Sequence, residues 1–230
     1  MGASEEQLAR ARRQMVDQQL RARGIADERV LEAFAAVPRE RFLPPDCVHE
    51  AYGDYPVPIG SGQTISQPYV VALMVEALRP RAQDRVLDVG AGSGYQVAIL
   101  ARLAAHVYAV ERIEALARRA EAALAVAGIT NVTVRVGDGS LGWPEAAPFD
   151  RIMVTAGAPR VPEPLREQLA DGGRLVLPVG SRDSQMLERW TRRGEDFRRE
   201  RIAPVAFVPL IGEKGWSEMA AAGEGWRSGP

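Results

Sequence analysis

Chemistry is densest in the stretch Asp88-Val89-Gly90-Ala91-Gly92-Ser93-Gly94, a glycine turn preceded by an acid. A turn of this kind, leaving an apolar strand and opening a helix, brings backbone N–H groups and the positive end of a helix dipole to a ligand. A dinucleotide site asks for G-x-G-x-x-G/A, so that helix, strand and pyrophosphate can all approach closely. Counted from Gly90 the third position is Tyr95, and counted from Gly92 it is Val97, so that fingerprint fails. What stands is G-x-G-x-G behind an acid. It suits a ligand with a cationic end and no pyrophosphate.

S-adenosyl-L-methionine is such a ligand, carrying an ammonium and a sulfonium. Asp88 would offset its ammonium side, directly or through water. Glu111 lies about twenty residues past the glycines, where an acceptor for both ribose hydroxyls is expected. Asp138, inside Gly137-Asp138-Gly139, could accept from the adenine amine. Strand-end acids also serve as helix caps, and for either acid alone the two readings are even. Three acids at three successive strand ends around one glycine turn favour the ligand.

The elements that must position these residues follow from the apolar pattern. Residues 5–43 read as helical, broken by Pro38 and by Pro44-Pro45. From Ala51 to Pro68 the chain is rich in Gly, Pro and Tyr, too long and polar for a simple connector, and a helix over Pro68–Leu78 follows. Strands are expected at Arg85–Val89, His106–Glu111, Val132–Val136, Asp150–Ala156 and Arg174–Val179. Helices are expected at Tyr95–Ala104, Ile113–Ala127 and Pro164–Ala170, the last stopped by Gly172-Gly173. Alternation of this kind gives a parallel sheet covered on both faces. Two further strands, Gln185–Arg193 and Phe197–Phe207, flank a Gly194-Glu195-Asp196 turn and should pair antiparallel. The expected fold is α/β: a mostly parallel, doubly wound Rossmann-like sheet with an antiparallel C-terminal end. Residues 1–67 form a helical and loop extension covering the active site, 68–216 the ligand-binding core, and 217–230 a flexible tail.

Composition narrows the partners. The 230 residues are 46% hydrophobic and 26% charged, enough for a sizeable core, with a formal net charge of −1 that gives no global pull toward nucleic acid or anionic lipid. Arginines 189, 192, 193, 198, 199 and 201 alternate with Glu188, Glu195, Asp196 and Glu200, as on a solvated, charge-mixed face. The apolar runs are strand-sized and the first thirteen residues are no secretory signal, so a cytoplasmic protein without membrane contact is expected. Cys47 is the one cysteine and reads as an idle thiol. His49 and His106 sit in no convincing constellation, and no metal site is expected.

The motif Ile59-Gly60-Ser61-Gly62-Gln63-Thr64-Ile65-Ser66-Gln67-Pro68 resembles the signature of protein-L-isoaspartate (D-aspartate) O-methyltransferases. Val37-Pro38-Arg39-Glu40-Arg41-Phe42 upstream is similar too. So are Gly137-Asp138-Gly139, Pro148-Phe149-Asp150, Gly172 to Gly180 and Phe207-Val208-Pro209-Leu210 downstream. The likeness runs over about residues 12 to 216. It implies a class I methyltransferase that uses S-adenosyl-L-methionine, releases S-adenosyl-L-homocysteine, and esterifies the free carboxylate of L-isoaspartyl and some D-aspartyl residues. The substrates implied are peptides and age-damaged proteins, with no obligate protein partner. The ester returns through a succinimide toward normal aspartate. By motif, Ser66 matches the active-site serine, and Gln63, Thr64, Ile65, Ser66, Gly90, Ala91, Gly92, Ser93, Gly94, Glu111, Asp138 and Gly139 match cofactor contacts. One departure is Ile211, where some relatives are polar, so no cofactor contact is carried over to the segment that follows.

Ser66 precedes Gln67-Pro68 at a helix start, where a serine is also an ordinary N-cap. A late strand around Val205–Leu210, with Val208, Pro209 and Leu210, would pair with an extended peptide substrate. Core packing explains its apolar residues equally well.

Overall fold

In the computed structural model, which describes residues 4–218, a seven-stranded sheet has the order β5-β4-β3-β6-β7-β8-β9. Its strands are β3 (Arg85–Val89), β4 (His106–Glu111), β5 (Val132–Val136), β6 (Phe149–Val154), β7 (Leu169–Gly180), β8 (Gln185–Arg193) and β9 (Asp196–Val205). The pairs from β5 to β7 are parallel, and those of β7 with β8 and β8 with β9 are antiparallel. Helix α3 (Pro68–Leu78) leads into β3; helices α4 (Tyr95–Ala101), α5 (Glu114–Val126) and α6 (Glu163–Glu167) make the β3–β4, β4–β5 and β6–β7 crossovers, and short 3-10 turns join β5 to β6. After β3 the chain steps outward to β4 and β5, then returns to place β6 on the other side of β3. The carboxyl end of β3 is therefore the topological switch point, where open α/β sheets bind ligands.

Alternate strand residues feed two cores. Val86, Val107, Ala109 and Met153 pack on one face, Leu87, Val89, Ile152 and Val154 on the other. The N-terminal segment belongs to the first of these. Helices α1 (Glu5–Gln14) and α2 (Glu28–Ala36) are separated by a π turn, Met15–Leu20, and a short 3-10 turn closed by Gly24. Met15, Leu20, Phe34 and Phe42 are buried together with Val71, Tyr95 and Ile99. The Phe34 and Phe42 rings meet Tyr95 edge-on at 6.0 and 5.8 Å.

Four expectations need correction. The Ala51–Pro68 region contains a hairpin, β1 (Val57–Gly60) with β2 (Gln63–Ile65), in which Val57 and Ile59 are buried and Pro58 and Gly60 exposed. Its strands are too short for alternation to show through the glycines and prolines. The helix expected over Tyr95–Ala104 ends at Ala101. Gly172-Gly173 lies inside β7, which begins at Leu169. The β6–β7 register jumps from Phe149↔Leu169 to Arg151↔Arg174, so the glycines sit in a bulge. Finally, β9 ends at Val205, and residues 206–210 are not a strand. Gly157 N–H donates to the Val208 carbonyl at 2.7 Å, Leu210 N–H to the Gly157 carbonyl at 2.8 Å, and Trp216 N–H to the Leu210 carbonyl at 2.7 Å. Three backbone groups of this segment, the Val208 and Leu210 carbonyls and the Leu210 N–H, are thereby engaged within the protein. Among the described residues, three of the six hairpin arginines meet acids: Arg189 with Glu200 at 2.8 Å, Arg198 with Glu200 at 3.6 Å, and Arg199 with Glu188. The expected tail largely falls on residues 219–230, outside those described.

Candidate active site

A cleft partly open to solvent lies at the switch point. Four predicted groups line it: the Gln63–Ser66 run, the loop from Gly90 to Ser93, Glu111 with Gly139, and Val208–Leu210. Ile211 lines it as well, so the C-terminal segment contributes wall despite the departure noted there. Gly94, Asp88 and Asp138 are not on the wall, and each absence has a cause.

Gly94 serves the turn. It adopts φ 87°, and a Cβ there would come within 3.2 Å of Ala120 Cα and Cβ on α5. Gly90, at φ 94°, likewise leaves no room, since a Cβ would reach 2.9 Å from Thr155 Oγ1. The loop's N–H groups are largely spent within the protein. Gly90 N–H donates to the Val110 carbonyl at 2.8 Å, Gly94 N–H to the Ala91 carbonyl at 2.8 Å, and Tyr95 N–H to Ser93 Oγ at 3.3 Å. Gly92 N–H donates to Glu111 Oε2 at 3.0 Å. A pyrophosphate would find few donors here and a carboxylate already in place, which agrees with the failed dinucleotide fingerprint.

Glu111 also accepts from Ile113 N–H through Oε1 at 2.9 Å. Each carboxylate oxygen has two lone pairs, so one remains on each oxygen. Two acceptor positions on a fixed carboxylate at the cleft wall match the two hydroxyls of a ribose.

Asp88 is fully buried behind the wall. Its Oδ1 accepts from Gln96 Nε2 at 2.7 Å, and its Oδ2 has no partner. Burial pushes its pKa up to about 7, helped by the Glu111 charge and opposed by the Gln96 hydrogen bond. The orphaned oxygen and the raised pKa both describe a carboxylate short of positive charge. Gln96 and Thr155 stand in the wall in front of it, 3.1 Å apart. Sequence reading missed both. An amide inside the otherwise apolar helix Tyr95–Ala101, and a hydroxyl closing the apolar run Ile152–Val154, were the available signals.

Asp138 is occupied with its own loops. Oδ1 accepts from Ser140 N–H at 2.8 Å and Ser140 Oγ–H at 2.7 Å, while Oδ2 accepts from Glu213 N–H at 2.7 Å. It caps the turn Gly139–Leu141 and holds the segment after Ile211, leaving Oδ2 one lone pair. It borders a neighbouring depression with Arg112, Ile211 and Trp216 instead of the main cleft.

Ser66 sits between β2 and α3. The helix takes Gln67 as N-cap, has Pro68 in its first turn, and receives no side-chain cap bond. Among the described residues the Ser66 hydroxyl makes no hydrogen bond, so it is not spent on the helix. Its carbonyl accepts from Arg39 Nη2 at 2.8 Å.

These residues fit S-adenosyl-L-methionine: a carboxylate with two free acceptor positions, an orphaned acid behind an amide, and a loop that offers no anion cradle.

The family model described as "Protein-L-isoaspartate(D-aspartate) O-methyltransferase (PCMT)" matches residues 10–215. This chain belongs to that family. A protein-L-isoaspartate O-methyltransferase of Methanoregula boonei is 58% identical over 205 residues, covering 89% of this chain and 94% of the relative. One of Rhodopseudomonas palustris is 56% identical over 214 residues, covering 92% and 87%. Among solved structures, a protein-L-isoaspartate O-methyltransferase superposes with a TM-score of 0.80 at 30% identity, covering 89% of this chain and 67% of that one. A family member from Plasmodium falciparum, solved in complex with S-adenosyl-L-homocysteine, superposes with a TM-score of 0.76 at 27% identity, covering 87% and 98%.

Proposed function

We propose that this chain is an S-adenosyl-L-methionine-dependent protein-L-isoaspartate O-methyltransferase, esterifying the free carboxylate of L-isoaspartyl residues, and some D-aspartyl residues, in age-damaged proteins. The observation that carries this reading is the unspent Ser66 hydroxyl on the same cleft as Glu111 and the glycine loop. S-adenosyl-L-methionine, when bound, supplies a methyl group already activated by its sulfonium. Glu111 accepts from the ribose hydroxyls, Asp138 and Gly139 face the adenine side, and Asp88 with Gln96 offsets the ammonium.

The acceptor needs no general base, because a carboxylate with a pKa of about 4 is already ionised at neutral pH. The protein's task is to align the acceptor oxygen and keep water away. Ser66 Oγ–H donates to the acceptor carboxylate and holds it. Gln63, Thr64 and Ile65 complete that side of the cleft, while Val208, Pro209 and Leu210 form an apolar wall toward the peptide. The segment 1–67 covers the site through its hairpin, over a core shared with α3 and α4.

No helix among the described residues is long and apolar enough to cross a membrane. With a net charge of −1 and hairpin arginines that meet acids, the enzyme works in the cytoplasm on peptides and proteins, with no nucleic acid, membrane or obligate protein partner. Incubating an isoaspartyl peptide with the enzyme and labelled S-adenosyl-L-methionine should give a base-labile ester. On repeated cycles the aspartyl peptide should accumulate by chromatography. A base-stable methylated product, or no accumulation of the aspartyl form, contradicts the repair reading.

A further inference from the structure

Arg39 is wholly buried, with 0% of its surface exposed, at the start of the 3-10 turn Arg39–Phe42. Its one hydrogen bond runs from Nη2 to the Ser66 carbonyl, while Nε and Nη1 are buried without partners. Among the described residues no carboxylate pairs with it. The adjacent acid, Glu40, is turned to Arg12 at 3.8 Å and to the Tyr52 hydroxyl. The guanidinium instead lies over the Tyr95 ring, 5.0 Å from its centroid, and the Tyr95 hydroxyl is also buried without a partner. Burial lowers the Arg39 pKa to about 10, which leaves it charged at neutral pH.

A buried cation without an anion is costly, and replacing such a group with an apolar one of similar volume is often neutral or stabilising. Packing alone therefore gives no reason for an arginine at this position. Ser66, to which it donates, and Tyr95, over whose ring it lies, both line the cleft. Its charge thus stands directly behind the wall to which an acceptor carboxylate must come. That approach otherwise meets two acids, Asp88 and Glu111, at low dielectric.

We propose that Arg39 is a positioning residue for the methyl acceptor: it holds the Ser66 peptide in place, and its unneutralised charge draws the substrate carboxylate into the cleft. This rests on the reading of Ser66 as the group that holds that carboxylate. The anion that Arg39 lacks among the described residues is the one the substrate brings. The charge supplies attraction that a neutral hydroxyl cannot, and it does so without reaching the substrate itself.

The test pairs Arg39→Gln, which keeps an N–H donor and loses the charge, with Arg39→Lys, which keeps the charge. Steady-state methyl transfer to an isoaspartyl peptide is measured alongside calorimetric binding of S-adenosyl-L-homocysteine. Arg39→Gln should raise KM about tenfold, with kcat within about threefold and product affinity within about twofold; Arg39→Lys should restore most of the KM. A wild-type KM in Arg39→Gln overturns the proposal. So does an Arg39→Lys variant as impaired as Arg39→Gln, or loss of S-adenosyl-L-homocysteine affinity in step with activity, which would place the role with the cofactor or the fold.

Should Arg39→Gln fail to fold, the wild-type complex with S-adenosyl-L-homocysteine provides a second measurement. It should bind an isoaspartyl peptide about tenfold more tightly than the same peptide with the free carboxylate replaced by a carboxamide. Equal affinity overturns the proposal. A wild-type enzyme that ignores isoaspartyl peptides defeats the underlying reading as well, whereas an active enzyme indifferent to Arg39 defeats this inference alone.

Discussion

Where β3 and β4 end, the cleft wall is locked into the sheet. Glu111 is held at both oxygens by backbone N–H groups, and Gly94 is packed against Ala120 on α5. Across the cleft, the Gln63–Ser66 run belongs to a two-stranded hairpin outside the main sheet. Long polar side chains tether it. Arg119 Nη1 donates to the Ile59 carbonyl at 2.7 Å, Gln67 Nε2 to the Asp54 carbonyl at 2.8 Å, and Arg39 to the Ser66 carbonyl. Beneath them only a few apolar residues, Val57, Ile59 and Ile65, are buried. The first wall is preorganised for a ligand of constant shape. The second presents an unspent hydroxyl from a smaller, separately anchored element, as suits a substrate that differs from one damaged protein to the next. Changes on the first wall should therefore appear in cofactor affinity, and changes on the second in turnover.

The largest expected effect breaks the first wall. Glu111→Ala removes the proposed ribose acceptor and unpairs the N–H groups of Gly92 and Ile113. Affinity for S-adenosyl-L-homocysteine should fall by about 1–3 kcal/mol, read by calorimetry. Wild-type affinity would remove Glu111 from the site.

On the second wall, Ser66→Ala should lower turnover between about tenfold and a hundredfold, since loss of alignment by about 1 Å is enough for that. Cofactor affinity should hardly change. Because the hydroxyl makes no hydrogen bond among the described residues, the melting temperature should not move, whereas loss of a helix cap would cost about 1 kcal/mol. A destabilised but fully active variant would return Ser66 to the helix.

The smallest effect is one of pH and sharpens the account of Asp88. With its pKa raised to about 7, the folded protein holds a proton that the unfolded chain releases at about 4. Between those values the folded state binds more protons, so this group's contribution to stability falls as pH rises toward 7. An ammonium placed near Asp88 by the ligand would favour the ionised form. Binding of S-adenosyl-L-homocysteine below pH 7 should therefore release a proton, measurable by calorimetry in buffers of different ionisation enthalpy. Asp88→Asn should abolish both signatures. No proton release at pH 6 would separate Asp88 from the ligand.

Much of this contrast was legible from residues alone, though unevenly. Helix Pro68–Leu78 and strands Arg85–Val89, His106–Glu111, Val132–Val136 and Gln185–Arg193 fall where the apolar pattern placed them, because each sets apolar residues of one face against the core. The hairpin did not show: four- and three-residue strands around Gly60, Ser61 and Gly62 carry too little periodicity. Leu210 looked like strand because its neighbours are apolar. Its backbone partner is Gly157, a contact between segments far apart in sequence. Chemistry and spacing singled out Gly90 and Glu111, and the resemblance of its motif singled out Ser66; all three line the cleft. Gln96, Thr155 and Arg39 act through three-dimensional neighbours, and a glutamine in a helix or an arginine after a proline carries no such mark in one sequence.

The most direct test of the whole account uses two synthetic peptides identical in composition and charge, one with isoaspartate and one with ordinary aspartate at a single position. They differ only in which carboxyl carries the main chain, so the free carboxylate sits one carbon nearer the backbone in the isoaspartyl form. If, as proposed, the cleft holds the carboxylate at Ser66 against a fixed methyl donor, it reads that displacement as misalignment. The expected ratio of kcat/KM is about a hundredfold or more in favour of the isoaspartyl peptide. Comparable rates on the two peptides would contradict the account and leave an enzyme that methylates carboxylates without regard to damage.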